Sequence, residues 1–167
     1  MEVNPNYEYF EKGSFDISEQ LIKEQGPEVC RNIIDKYYIN VKSKDYDFGF
    51  IYKTPVAQIG QSRSKRNKKY NISSFILCKL NPNFEDIEIS LVCSKPNKKQ
   101  GKMLIDLVIM KALEMKYKYI SLLSIGEMKL VNWYKKQGFE IVTSKYLPSG
   151  AITNDYYMRK NILLDNK

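Results

Sequence analysis

A mixed α/β fold, with antiparallel strands in its first half and a parallel pair at its centre, is predicted by three features of this sequence. Tyr46, Phe48 and Phe50 alternate with other residues and would share one face of an extended segment. From Gln100 the apolar period lengthens to that of a helix, through Ile105, Val108, Ile109 and Ala112. From residue 86 onward the order is strand, helix, strand, helix, strand, strand, with one crossover of the kind that joins parallel neighbours. The 167 residues, 43% hydrophobic and 13% aromatic, can bury a sizeable core in a single domain spanning 1–167. No internal repeat or low-complexity linker divides them.

In chain order, residues 7–10 read as a short strand. Ser18 then caps a helix that has Glu19 in its first turn, and Gly26 and Pro27 interrupt it. Val29, Ile33, Ile34 and Tyr37 resume helical spacing, and 45–52 reads as a strand. The run 61–70 is a solvated loop, carrying Arg63, Lys65, Arg66, Lys68 and Lys69. Segments 72–80 and 86–94 are strands joined by a turn at Asn81 and Pro82, a link that makes them antiparallel neighbours. Ile87, Ile89, Leu91 and Cys93 fall on one face of the second, and Asp86, Glu88 and Ser90 fall on the other. A largely buried helix follows over 100–117, then a strand at 119–125 and a helix at 127–137 closed by Gly138. Strands at 139–143 and 156–162 complete the pattern.

Histidine is absent, which removes Ser-His-Asp and Cys-His nucleophiles and most zinc or transition-metal sites. Acid–base chemistry falls to Glu, Asp, Tyr, Lys, Cys or water. Cys30, Cys78 and Cys93 show no paired spacing and read as buried thiols. No run approaches the roughly 20 apolar residues that span a bilayer, and the start lacks a basic and then apolar leader, so an intracellular protein, cytoplasmic or nuclear, is expected. The net charge of +8 attracts anions: a phosphorylated cofactor, an acidic partner or nucleic acid. Lysine outnumbers arginine 23 to 4, which is poor in bidentate base-reading chemistry. The segment from Val92 to Leu104 joins a strand to a helix through a basic turn containing Gly101. Such a helix start suits a pyrophosphate, since its first amides lack helical partners and the dipole adds positive potential. Lys98, Lys99 and Lys102 add charge around it.

Two of these segments resemble the GNAT superfamily of N-acetyltransferases, over about residues 72–162. Lys98 to Met103 is similar to that family's Arg/Gln-x-x-Gly-x-Gly/Ala turn, which cradles the coenzyme A pyrophosphate on backbone amides. Trp133 to Phe139 is similar to its tyrosine-containing helix ending in Gly-Phe. The chain departs from the pattern in three ways: Lys98 replaces Arg or Gln, Met103 replaces the second small residue, and Glu127 stands where an asparagine is common. The turn after Pro96 is also about one residue short.

The resemblance implies a GNAT-like acyl-CoA N-acyltransferase fold in which the central parallel strands splay around acetyl-CoA. Backbone groups near Leu91 and Val92 would pair with the pantetheine arm, and Lys98, Lys99, Gln100, Gly101, Lys102, Met103 and Leu104 would form the phosphate turn. It implies direct attack of a primary amine on the thioester, the amine being a small molecule, a polyamine, or a protein lysine or N-terminus. Glu88 is the candidate base, with Asp86 and Glu127 as alternatives, and Tyr134 is the candidate acid. Asp35, Tyr37, Tyr38, Glu85 and the loop 145–154 are candidates for the acceptor rim. The alternative is a GNAT-fold module without turnover that binds nucleic acid or an acidic partner through Arg63 to Lys69.

Overall fold

The computed structural model describes residues 7–12, 45–55, 70–94, 99–124, 128–142 and 156–164. The expected helices between residues 18 and 38, the basic loop 61–69, Lys98, Glu127 and the loop 145–154 lie outside the described residues. The strands are β1 (Tyr7–Glu11), β2 (Phe48–Pro55), β3 (Tyr70–Asn81), β4 (Asp86–Ser94), β5 (Tyr119–Ser124), β6 (Glu140–Ile141) and β7 (Tyr156–Asn161). The helices are α1 (Gln100–Glu114) and α2 (Met128–Lys136). The strands form one mixed sheet in the order β1-β2-β3-β4-β5-β7-β6.

The chain falls into two compact units, one of 1–77 and 92–104, the other of 78–91 and 105–167. In the first, β1 and β2 are antiparallel, with Tyr7 opposite Tyr52 and Phe10 opposite Gly49. Phe10, Phe48, Phe50, Ile72, Phe75 and Ile76 are buried here. Gly49 is required by space, because a Cβ there would collide with the Ile76 carbonyl oxygen and the Phe10 ring. The expected strand at 45–52 begins at Phe48 instead and runs on to Pro55, yet Tyr46, Phe48 and Phe50 are all buried as their alternation predicts. Cys93 corrects the expectation of three thiols, since its sulfur is in a disulfide. Disulfide partners need proximity in the fold, not spacing in sequence, so scattered cysteines gave no sign of it.

In the second unit β4 and β5 are parallel, from Asp86 opposite Tyr119 to Ile89 opposite Leu122. β7 pairs antiparallel with both β5 and β6, so the later strand is inserted between the two earlier ones. Ile87, Ile89, Ile120, Leu122 and Met158 share one face by this register and are buried, as are Ile105, Val108 and Ala112 of α1. Each fully buried aliphatic side chain contributes about 1.5–3 kcal/mol.

Both helices end on the same device. At α1, Tyr117 N–H donates to Ala112 O at 2.9 Å and Lys116 N–H to Leu113 O at 3.1 Å, with Lys116 left-handed at φ 61. This double bond pattern stops the helix before the expected Tyr117. At α2, Phe139 N–H donates to Tyr134 O at 3.1 Å and Gly138 N–H to Lys135 O at 3.0 Å, with Gly138 at φ 91. β6 is only two residues long, shorter than the expected 139–143.

Candidate active site

The Gly-Phe ending of α2 has a direct physical reading. In this cap the residue after the left-handed position packs back on the last turn, and the Phe139 and Tyr134 rings lie 5.8 Å apart at 70°. Trp133 meets Tyr134 edge-on at 5.0 Å. Tyr134 is 5% exposed, and burial pushes its hydroxyl far above the ordinary tyrosine value, so it stays protonated and able to donate. Lys160 fixes the helix end against β7, its Nζ donating to Gln137 O at 2.9 Å.

Lys160 and Met158 are paired with Ile120 and Leu122, so this end of α2 lies over the apolar face of the sheet. Glu88 is on the opposite face, level with Ser121. It is half-buried and accepts from Ser90 Oγ at 3.2 Å. No hydrogen bond or ion pair joins it to Tyr134 among the described residues. Beside it Asp86 is 3% exposed and accepts from Ser121 Oγ at 2.6 Å. Burial raises the Asp86 pKa from its ordinary value, against the bonds from Ser121 and Asn81 and the charge of Arg159.

Two residues of this face were not singled out from sequence. Burial raises the Tyr157 pKa from its ordinary value, against a lowering influence of Ser121. The Arg159 guanidinium lies 3.5 Å over the Tyr119 ring. Period-2 alternation puts Tyr157 and Arg159 on one face of β7, but only the strand register brings that face beside Asp86 and Glu88.

The ladder between β4 and β5 stops at Ile89 and Leu122. β5 continues to Ser124 against β7, while Ser90 and Leu91 of β4 have no partner on β5. Two parallel strands that part in this way leave main-chain donors and acceptors for something placed between them.

In the first unit, Lys99 is left-handed at φ 54 and its carbonyl takes Met103 N–H at 3.3 Å, the first bond of the helical ladder. The amides of Gln100, Gly101 and Lys102 precede that bond at the positive end of the helix. Gly101 is buried, and Gln100 Oε1 is buried with no hydrogen-bond partner among the described residues. Met103 is 37% exposed, and its sulfur accepts from the Tyr7 hydroxyl at 3.8 Å. That contact ties the longer side chain to β1. The Leu104 side chain is buried in the core.

Solved structures share this fold. A proposed acyl-CoA N-acyltransferase from Klebsiella pneumoniae superposes with a TM-score of 0.64 at 11% identity, over 95% of this chain and 99% of that one. The aminoglycoside 6'-acetyltransferase type Ii gives 0.58 at 15%, over 92% and 96%. The chain has the GNAT acetyltransferase fold. A GNAT acetyltransferase from Elizabethkingia anophelis, solved with acetyl-CoA bound, gives 0.54 at 16%, over 95% and 99%. No protein-family model and no curated protein matches the sequence. No helix among the described residues is long and apolar enough to cross a membrane.

Proposed function

We propose that the chain is a single-domain, acetyl-CoA-dependent N-acetyltransferase acting on a primary amine by direct attack on the thioester. The observation that carries this reading is the parting of β4 from β5 after Ile89 and Leu122. A pantetheine arm has alternating amide donors and acceptors and would complete the ladder at Leu91 and Val92. Lys99, Gln100, Gly101, Lys102 and Met103 would hold the pyrophosphate, helped by Lys98. The amides at the start of α1 fit such a ligand. The Elizabethkingia protein of the same fold holds acetyl-CoA.

Groups on opposite faces of a sheet can reach one point only where the sheet is open, and in this reading Glu88 and Tyr134 act across the opening after Ile89 and Leu122. Glu88 takes the proton of the attacking ammonium, directly or through water, and Tyr134 protonates the leaving thiolate. Burial suits Tyr134 to this, because a hydroxyl kept protonated is a donor at neutral pH. Asp86 shares the Glu88 face and is the alternative base. Acidic and aromatic groups beside the opening suit a cationic acceptor: a small amine, a polyamine, or a protein lysine or N-terminus.

Titration calorimetry with acetyl-CoA, desulfo-CoA and ATP tests the reading. Saturable one-site binding confined to the CoA species is expected. Folded protein that binds none of them would instead favour a GNAT-fold module without turnover, contacting nucleic acid or an acidic partner. Glu88→Gln should then abolish the acidic limb of the pH–rate profile, and a profile that persists unchanged would move the base elsewhere.

A further inference from the structure

The end of α2 and the strand β7 are joined through one residue. Gln137 donates its N–H to Tyr134 O at 2.9 Å and accepts from Lys160 Nζ at 2.9 Å. The same Tyr134 carbonyl takes Phe139 N–H at 3.1 Å, so Tyr134 is held at its backbone from both sides of Gly138. Lys160 belongs to β7, opposite Ile120 on the apolar face of the sheet, and is only 9% exposed. An ammonium taken out of water among aliphatic side chains costs free energy that a methionine of similar length would not. What the ammonium adds is a cationic donor at the negative end of the helix dipole, bonded to a carbonyl that the helix itself cannot satisfy. Gly138 leaves room for it, since a Cβ there would stand 3.1 Å from Lys160 Nζ and 3.3 Å from its Cε.

We propose that Lys160 is a positioning residue for the reaction: through Gln137 it fixes the end of α2 on the sheet and so holds the Tyr134 hydroxyl where it can donate to the sulfur of coenzyme A. The proposal rests on the acetyltransferase reading and on Tyr134 as the acid. α2 has nine residues, and a helix shorter than roughly 12–15 residues does not hold its own geometry in water. Its placement therefore comes from tertiary ties. The contacts of the Tyr134 ring with Trp133 and Phe139 lie within the helix and its cap, and move with them. The Lys160 bond instead runs to a strand paired on both edges, with β5 along its length and with β6 at Met158 and Arg159. That strand is in register with the place where β4 departs, since Leu122 is paired with both Ile89 and Met158. A hydroxyl swung off line by a loose helix end loses its hydrogen bond, which weakens steeply with angle.

The experiment uses the full chain saturated with CoA and needs no acceptor substrate. The thiol of bound CoA is titrated through the ultraviolet absorbance of its thiolate, and the desulfo-CoA complex is subtracted to cancel the tyrosines of the protein. A donor aimed at the sulfur stabilises the thiolate, so the bound thiol of wild type should titrate about one pH unit or more below that of Tyr134→Phe. Lys160→Met should lose most of that lowering, and in the Tyr134→Phe background it should shift nothing further. Lys160→Gln, one bond shorter than the native side chain, serves if Lys160→Met does not fold. A merely structural lysine would lower the urea midpoint and leave the thiol titration where it was, and that result would overturn the proposal. So would equal shifts from Lys160→Met with and without the Tyr134 hydroxyl. The levels of failure are distinguishable: absence of CoA binding in calorimetry sinks the acetyltransferase reading, a titration unmoved by Tyr134→Phe sinks the acid role, and one moved by Tyr134→Phe alone sinks only the part given to Lys160.

Discussion

The two faces of the β4, β5 and β7 strands are built from alternate residues of the same segments and have opposite chemistry. Ile87, Ile89, Ile120, Leu122 and Met158 make one face a sealed core. Asp86, Glu88, Ser121, Tyr157 and Arg159 make the other a set of polar groups, two of which retain buried atoms without a partner among the described residues. The first face lowers the free energy of the fold, and the second raises it. Burying polar groups is tolerated where something other than stability is gained, and a two-residue period lets one short strand serve both ends without compromise.

The comparison breaks most visibly at adjacent residues. Ile120→Ala should cost about 2–5 kcal/mol in urea unfolding, through lost burial and the cavity left behind. Ser121→Ala, one residue on, removes the donor to the Asp86 carboxylate and should cost about 1–3 kcal/mol. Equal stability losses would mean that both faces are simply core.

Tyr134→Phe comes next. It keeps the ring packed on Phe139 and Trp133 and removes only the hydroxyl, so turnover should fall by about 10²-fold or more with acetyl-CoA affinity unchanged. An unaltered rate would leave Tyr134 as the packing residue of a helix cap.

Gly138→Ala should destabilise by about 1–2 kcal/mol, the cost of a left-handed backbone with a side chain. A Cβ there would also stand 3.1 Å from Lys160 Nζ and press on its bond to Gln137. Lys99→Gly is the counterpart in the other unit. It relieves the same strain at φ 54 and should gain up to about 1 kcal/mol, read as a higher midpoint in urea, while weakening CoA binding by loss of a charge.

The smallest effect is a slope. The folded protein holds the Asp86 proton more tightly than the unfolded chain does. Below the ordinary aspartate value both states are protonated and the residue contributes nothing. As pH rises through that value and on through the raised folded one, the unfolded state loses its proton first, so wild type loses stability relative to Asp86→Asn. Denaturant titrations of both across that window measure the difference, and parallel curves would mean that Asp86 is not perturbed by burial.

Much of this was legible in sequence where one segment decides the matter alone. β4 has the bounds its alternation predicts, and its two faces follow from the order of Asp86, Ile87, Glu88 and Ile89. The turn into α1 and the α2 cap are likewise local, written in Gly101, Tyr134, Gly138 and Phe139. Pairing between distant strands was not legible. Nothing in residues 156–161 says that they insert between β5 and β6, and without that register Tyr157 is one more strand aromatic. The Cys93 disulfide escaped for the same reason, because proximity of distant residues leaves no trace in their spacing.

The inserted position of β7 also sets an order of events during synthesis. A ribosome that has released β5, α2 and β6 has made strands that cannot yet form their final ladder, since the strand that bonds to both is still to be translated. Until residues 156–161 emerge, the nascent chain holds β5 with an open edge beside β4, and the second unit closes only after translation has passed Asn161.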